Sequence, residues 1–148
     1  MTSTIAAPRT RVRQPGVIGW LRLARAYQKL ERAAANNLRD SGLSVAQFDV
    51  LAHVGAAEGI TQQELSDSRV TTKGNLSQLL DHMESDGLIR RERDGRLKRV
   101  FLTATGRTLF NETVPPHEAF MEGRFDCMTA EETATLTRLL RKLDRSMP

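Results

Sequence analysis

A mainly α-helical domain with one small β-hairpin is the fold class that this sequence predicts, and three patterns carry the prediction. Leu76, Leu79, Leu80 and Met83 fall at i, i+3, i+4 and i+7, the spacing of a helix with one apolar face. Ser44 with Gln47, Thr61 with Glu64 and Thr129 with Glu132 each set a hydroxyl three positions ahead of Glu or Gln, the reciprocal capping box that opens a helix. Asp94-Gly95 stands between an Arg-rich run and the apolar run Val100, Phe101, Leu102, which marks a hairpin turn.

Taken in order, residues 1–16 hold Pro8, Pro15 and Gly16 and almost nothing apolar, the composition of a flexible basic arm. The pattern changes at Val17. Trp20, Leu23, Ala24, Tyr27, Ala34 and Leu38 then follow helical spacing until Ser41-Gly42 ends a long first helix. Ser44 opens a second helix with Val45, Phe48, Leu51, Ala52 and Val54 as its stripe. Thr61 opens a brief third helix anchored by Leu65, and a fourth begins at Thr71 to Thr72. Leu88 and Ile89 lead into the hairpin. With Asp94-Gly95 at its turn, Arg93 is expected opposite Arg96, Arg91 opposite Lys98 and Ile89 opposite Val100. A fifth helix starts near Thr105 and is expected to be interrupted at Pro115-Pro116, since proline lacks the donor a helix interior needs. The last helix follows Thr129 and carries Leu136, Leu139, Leu140, Leu143 and Met147 on one side.

A chain of 148 residues accommodates one core, so residues 17–148 are read as a single domain. Charged residues at 27% describe a globular, soluble body. There is no apolar run of about 18 residues and no signal-like centre near the start, which points to the cytosol and to no membrane partner. A lone cysteine, Cys127, excludes an internal disulfide framework and agrees with a reducing compartment.

The net charge of +4 is unevenly placed. Arg9, Arg11, Arg13, Arg22, Arg25 and Lys29 occur in residues 1–30 without one acid. Arg90, Arg91, Arg93, Arg96, Lys98 and Arg99 crowd residues 88–102 against Glu92 and Asp94. Such clusters suit a polyanion, whose counterions are released on neutralisation; a solvated face is the plain alternative. The neighbouring helix bears on the choice. Its outer face carries Lys73, Asn75, Gln78 and His82 with Ser77 beside them, and Asn and Gln can pair bidentately with adenine in a major groove. Two short helices joined by a tight turn, the second polar on its outside, are the sequence form of a helix-turn-helix, and the hairpin behind them is its wing. Like charges opposed across the hairpin make more sense if phosphates neutralise them. The apolar sides of the first and last helices either pack back within the monomer or form a subunit interface.

These segments together resemble the MarR family of winged helix-turn-helix transcriptional regulators from about Val17 to Met147. The resemblance rests on LSVAQFDVLAHV at 43–54, TQQELS at 61–66, TTKGNLSQLLDHMESDGLIRR at 71–91, DGRLKRVFLTATGRTLF at 94–110 and TAEETATLTRLLRKL at 129–143. It implies a homodimer held by residues 17–40 and 104–148, with residues 44–103 forming a winged lobe that binds double-stranded DNA. Trp20, Leu23, Tyr27, Phe120, Leu136, Leu139, Leu140 and Leu143 fall at the implied interface. Thr72, Lys73, Asn75, Ser77 and Gln78 fall on the implied recognition surface, joined by His82, Arg91, Arg93 and Lys98. Asp94 and Arg96 match the family's wing motif, in which the Asp braces the wing and the Arg approaches DNA. The resemblance also implies a repressor released by a small aromatic or anionic effector, for which Trp20, Arg22, Tyr27, His53 and Met83 are candidate lining. The chain departs from the pattern in a wing shortened between Gly87 and Asp94, in Arg69 at a usual leucine, and in Gln78 at a frequent arginine.

Other functions are weighed on the same residues. Cys127 raises a redox-responsive regulator of the same fold, and His117, Glu118 and Cys127 raise a metal-responsive one, although His53, His82 and His117 lack paired ligand spacing. A winged helix used only for protein contacts is a further alternative. No phosphate loop, nucleophile elbow or HExxH occurs, so neither an enzyme nor a cofactor is expected.

Overall fold

The structure is a computed structural model and describes residues 14–68 and 73–148, with Lys73 and Gly74 described by their backbone alone. Six helices and a three-stranded antiparallel sheet make up these residues: α1 (Pro15–Leu38), α2 (Val45–Ala56), β1 (Ile60–Thr61), α3 (Gln62–Asp67), α4 (Lys73–Ser85), β2 (Ile89–Asp94), β3 (Leu97–Leu102), α5 (Ala104–Glu122) and α6 (Ala130–Arg145). Arg39–Ser41 and Gly123–Phe125 form single 3-10 turns.

The helix starts follow the local chemistry. Ser44, Thr61 and Thr129 each accept from the backbone N–H three residues on, while Gln47, Glu64 and Glu132 reach back to the cap. Two orphan donors are thereby satisfied at each end. The first helix starts at Pro15, ahead of the expected Val17, because proline suits the first helical position, where a missing N–H costs nothing and its fixed φ fits the helix. Arg9, Arg11 and Arg13, as well as Arg69, Thr71 and Thr72, lie outside the described residues.

Two packed clusters share α2. Leu43, Val50, Leu51, Val54, Leu65, Leu76, Leu80, Met83, Ile89, Val100 and Leu102 fill the winged lobe, and Leu38, Phe48 and Val114 fill the junction with α1 and α5. Val50 was not expected inside; it is wholly buried because α2 lies between the lobe and the helical layer and has little free face. Phe110 packs against both clusters. The six-residue α3 is too short to persist alone, and its one buried side chain, Leu65, with the Thr61 cap holds it in place.

Three expectations are corrected. First, α5 runs through Pro115 and Pro116 without interruption. Val114 and His117 anchor the adjoining turns in the interior, while both prolines and the exposed Asn111 and Glu112 lie on the outside, where water reaches the carbonyls left without donors. Second, the hairpin register differs: Asp94 pairs with Leu97, Arg93 with Lys98, Glu92 with Arg99, Arg91 with Val100 and Ile89 with Leu102. Gly95 and Arg96 form the turn, with Gly95 at φ +62°. This register sets Glu92 against Arg99 and leaves one like-charged pair, where the expected one opposed two. Third, Met147 lies beyond the end of α6. The short β1, unforeseen, pairs Ile60 with Val100 and Thr61 with Arg99 and makes β3 the central strand.

One joint ties the lobe to the helical layer. α4 is closed just past its end by Gly87, φ +74°, with Leu88 N–H donating to Met83 O (3.0 Å) and Gly87 N–H to Glu84 O (3.0 Å), the paired bonds of a Schellman cap. Thr103 N–H then donates to Leu88 O (3.1 Å), the Thr103 hydroxyl to Gly87 O (2.5 Å), and Gly106 N–H to Thr103 Oγ1 (3.0 Å). A Cβ on Gly106 would stand 1.9 Å from Leu88 O, so only glycine allows this approach.

The outer helices are left open. No residue of α6 is buried, and Leu139, Leu140 and Leu143 are exposed, as are Val17, Ile18, Trp20, Leu21, Leu23 and Tyr27 of α1. Trp20 is 67% exposed, unusual for so large an apolar ring. Among the described residues no helix is long and apolar enough to cross a membrane.

Candidate nucleic-acid interface

Helical periodicity divides α4 cleanly. Leu76, Leu80 and Met83 are buried and Leu79 is half-buried, so the opposite side has to face outward. That outer side carries two stripes. Asn75, Gln78 and His82, at i, i+3 and i+7, stand exposed on one line; Ser77, Asp81 and Glu84 stand exposed on the next. The first line offers amide donors and acceptors and an imidazole to a groove. The second faces the wing. Thr72 and the Lys73 side chain lie outside the described residues.

The six wing bases fall into two sets. Arg90 pairs with Glu92 and lies over the Phe101 ring, 4.4 Å from its centroid. Arg91 is turned toward α4: one Nη donates to Asp81 Oδ1 at 2.5 Å and, with Nε, to Glu84 at 3.2 Å. Arg99 donates to Asp94 Oδ2 at 2.7 Å and to Gly59 O at 3.0 Å, so Asp94 braces the hairpin through a base on the return strand. Arg93, Arg96 and Lys98 make no ion pair with any described residue. They are exposed, Arg96 at the turn and Arg93 opposite Lys98.

Sequence reasoning placed Arg91 with the free bases. Its partners lie seven and ten residues away on another element, a tertiary contact that no local pattern reveals. The Arg91 hydrogen bonds hold the Glu84 carboxyl below its ordinary pKa, and Glu84 in turn raises that of Arg91, so each partner favours the charged form of the other.

The expected effector lining is divided between the core and the surface. Met83 is fully buried within the lobe core. Trp20, Arg22, Tyr27 and His53 are exposed; Tyr27 donates to Glu31 at 2.6 Å, and the His53 ring meets the Asp49 carbonyl oxygen through Nδ1 at 2.7 Å. Of the expected interface residues, Trp20, Leu23, Tyr27, Leu139, Leu140 and Leu143 are exposed and Phe120 and Leu136 half-buried.

From the sequence, His117 is a candidate only as a metal ligand with Glu118 and Cys127. It is buried, with Nδ1 2.7 Å from Asn37 Oδ1 and its ring 4.3 Å from that of Phe48. It joins α5 to α1 and α2, and desolvation lowers its pKa. Cys127 is exposed, and no group of three or more His, Cys, Asp or Glu side chains that could hold a metal comes together among the described residues.

Comparison with known proteins supplies the wider setting. The family model described as the MarR family matches residues 41–99. Over 131 residues the chain is 31% identical to an uncharacterized HTH-type transcriptional regulator of Bacillus cereus, an alignment covering 88% of this chain and 89% of the relative. A MarR family transcriptional regulator from Silicibacter pomeroyi shares 27% identity and superposes with a TM-score of 0.76 over 90% of this chain and 92% of that one. BpsR of Bordetella bronchiseptica, whose DNA binding is regulated by 6-hydroxynicotinic acid, shares 26% identity with a TM-score of 0.76 over 86% of this chain and 98% of that one.

Proposed function

The chain belongs to the MarR family of transcriptional regulators, and from that premise we propose that it is a homodimeric, sequence-specific binder of double-stranded DNA that acts in the cytoplasm as a ligand-released repressor. One observation carries the DNA reading: α4 buries Leu76, Leu80 and Met83 and leaves Asn75, Gln78 and His82 outward, beside a wing whose Arg93, Arg96 and Lys98 are not taken up by carboxylates among the described residues. In this reading Gln78 and Asn75 read base edges, with Thr72, Lys73, Ser77 and His82 around them. Arg96, Arg93 and Lys98 approach phosphates, and Asp94 holds the wing in shape.

The exposed apolar sides of α1 and α6 support the dimer reading. Trp20, Leu23, Tyr27, Leu139, Leu140 and Leu143 are too much apolar surface to leave in water, and pairing two copies also supplies two recognition helices about 34 Å apart, one turn of a pseudo-palindromic operator. Residues 17–148 then act as one domain. For release, a small aromatic or anionic ligand has only to prefer a dimer whose recognition helices are misspaced. A preference of about 1–3 kcal/mol shifts DNA affinity roughly 5- to 150-fold. BpsR is the precedent for such a ligand; here Trp20, Arg22, Tyr27 and His53 remain its candidate contacts.

The test is selection of bound fragments from the source genome, followed by titration of the selected duplex. Arg96→Ala is expected to weaken binding on all sequences and reduce the salt slope by about one unit. Gln78→Ala is expected to relax preference at particular bases at a cost of about 1–3 kcal/mol. If no fragment is enriched, or both variants bind an enriched fragment as the unaltered chain does, this surface does not read DNA and a protein-contact role for the winged helix takes its place.

A further inference from the structure

We propose that Arg91 is a positioning residue: it locks the wing to α4 through Asp81 and Glu84 and thereby fixes the width of a cleft that seats the DNA strand running between the two grooves. The inference rests on the DNA-binding reading and assigns one wing base, and two acids, a role that reading does not.

The geometry begins with alternation along β2. Ile89, Arg91 and Arg93 share one face of the hairpin with Leu102, Val100 and Lys98. Ile89 is buried at the base of that face, Arg93 and Lys98 are exposed at its far end, and Arg91 lies between them with its side chain 18% exposed. Asp81 and Glu84 are one helical turn apart on the edge of α4 nearest the wing. A guanidinium is planar and has five donors, so it can bridge two carboxylates in a fixed orientation, which a lysine ammonium cannot reproduce.

Beyond this bridge a cleft of about 370 Å³ separates α4 from the wing, lined by Ser77, Asp81, Arg91, Glu92, Arg93 and Lys98. If α4 occupies a major groove and the wing the adjoining minor groove, one phosphodiester strand has to pass between them. The cleft is the space left for it. Its outer wall carries Arg93 and Lys98 directly opposite each other and without carboxylate partners among the described residues. Its floor carries Asp81, an acid that would repel a phosphate were Arg91 not bound to it. The same bridge sets how far the wing stands from α4, and therefore whether both grooves can be met at once.

The opposing view makes Arg91 a phosphate contact that leaves its carboxylates when DNA arrives. Four variants of the full chain separate the two: Arg91→Ala, Arg91→Lys, Asp81→Asn/Glu84→Gln, and the combination of all three positions with alanine at 91. Each is titrated by fluorescence anisotropy, over a range of salt, against the selected operator and an unrelated duplex. A positioning role lowers the ratio of operator to unrelated affinity on the order of tenfold in every variant, the loss of about one base pair's readout. Lysine does not rescue it, the combined variant is no worse than its parts, and the salt slope on the operator is unchanged. A slope reduced by about one in Arg91→Ala, rescue by lysine, or tighter operator binding by Asp81→Asn/Glu84→Gln overturns the proposal. Because asparagine and glutamine are near-isosteric at exposed positions, that variant keeps the test valid even if Arg91→Ala folds poorly. If the unaltered chain itself shows no operator preference, the DNA-binding reading has failed; if it does and the variants retain its ratio, only the Arg91 inference has.

Discussion

Replacing Gly106 by alanine loads the joint between the winged lobe and α5 more directly than any other single methyl group. The new Cβ would lie 1.9 Å from Leu88 O and 2.9 Å from Leu88 C. A relaxed carbon–oxygen contact is about 3.3 Å or more, so the two backbones have to part by roughly 1.4 Å. Neither side is a flexible side chain. Leu88 O accepts from Thr103 N–H, and the Thr103 hydroxyl links Gly87 O to Gly106 N–H, so the displacement strains the overlap and breaks one or two hydrogen bonds. Overpacking of about 3 kcal/mol with about 1 kcal/mol per lost bond gives a loss of about 4 kcal/mol. At about 2–4 °C per kcal/mol for a chain of this size, the midpoint of thermal unfolding should fall by about 8–16 °C. Circular dichroism at matched protein concentration measures it, since association makes the midpoint concentration-dependent. Gly123→Ala is the control: its Cβ would meet nothing nearer than Asp126 Oδ2 at 3.8 Å, and a neutral result or a gain of about 0.5 kcal/mol is expected. A Gly106→Ala protein within about 1 kcal/mol of the parent would refute the argument from close approach.

Charging the outer face of α6 with Leu139→Glu and Leu143→Glu is expected to convert dimers into monomers in sedimentation and to remove operator binding, while leaving the lobe's own melting intact; dimers that persist would move the interface elsewhere. Thr129→Ala should cost about 1 kcal/mol in urea unfolding, the value of an exposed cap, and Thr61→Ala about 2 kcal/mol, at the upper end of the cap range, because Thr61 is buried against β3 and its hydroxyl also donates to Glu64. His117 gives a pH dependence with a defined sign. Burial holds its folded pKa below the unfolded value of about 6.5, against a smaller opposite pull from Glu118. The unfolded chain therefore takes up a proton first as pH falls, and the stability present above about pH 6.5 declines until the folded pKa is reached. His117→Gln should flatten the difference between unfolding free energies measured at pH 7.5 and 5.5, and an unchanged difference would assign that slope to other groups.

How far the sequence could be read depended on the range of the interaction. The α4 stripe and the capping boxes are local and were legible, down to which of Leu76, Leu80 and Met83 face inward. The hairpin was legible but its register was not, for a specific reason. The expected and observed pairings differ by two residues, and with a side-chain period of two such a shift leaves every residue on its own face. Hydrophobic alternation is blind to it. Cross-strand charge decides instead, and it favours Glu92 against Arg99. Pro115 and Pro116 misled because their penalty is local whereas the anchoring of Val114 and His117 is tertiary. Arg91 and His117 were misplaced for the same reason, one drawn to α4 and the other to Asn37, 80 residues away. At the candidate interface, sequence singled out Asn75, Gln78 and Arg96; it had no means of telling a paired wing arginine from a free one.

An α6 that buries none of its side chains within the chain also has a kinetic meaning. A 16-residue amphipathic helix is marginal by itself, so its backbone amides open with little free energy whenever nothing covers them. Hydrogen exchange along Ala130–Arg145 should accordingly be fast in dilute protein and slow at concentrations where copies associate, while amides of α2, anchored by the buried Phe48, Val50, Leu51 and Val54, exchange at one rate throughout. Protection of this one helix would read out the association constant residue by residue, with no label and no DNA present.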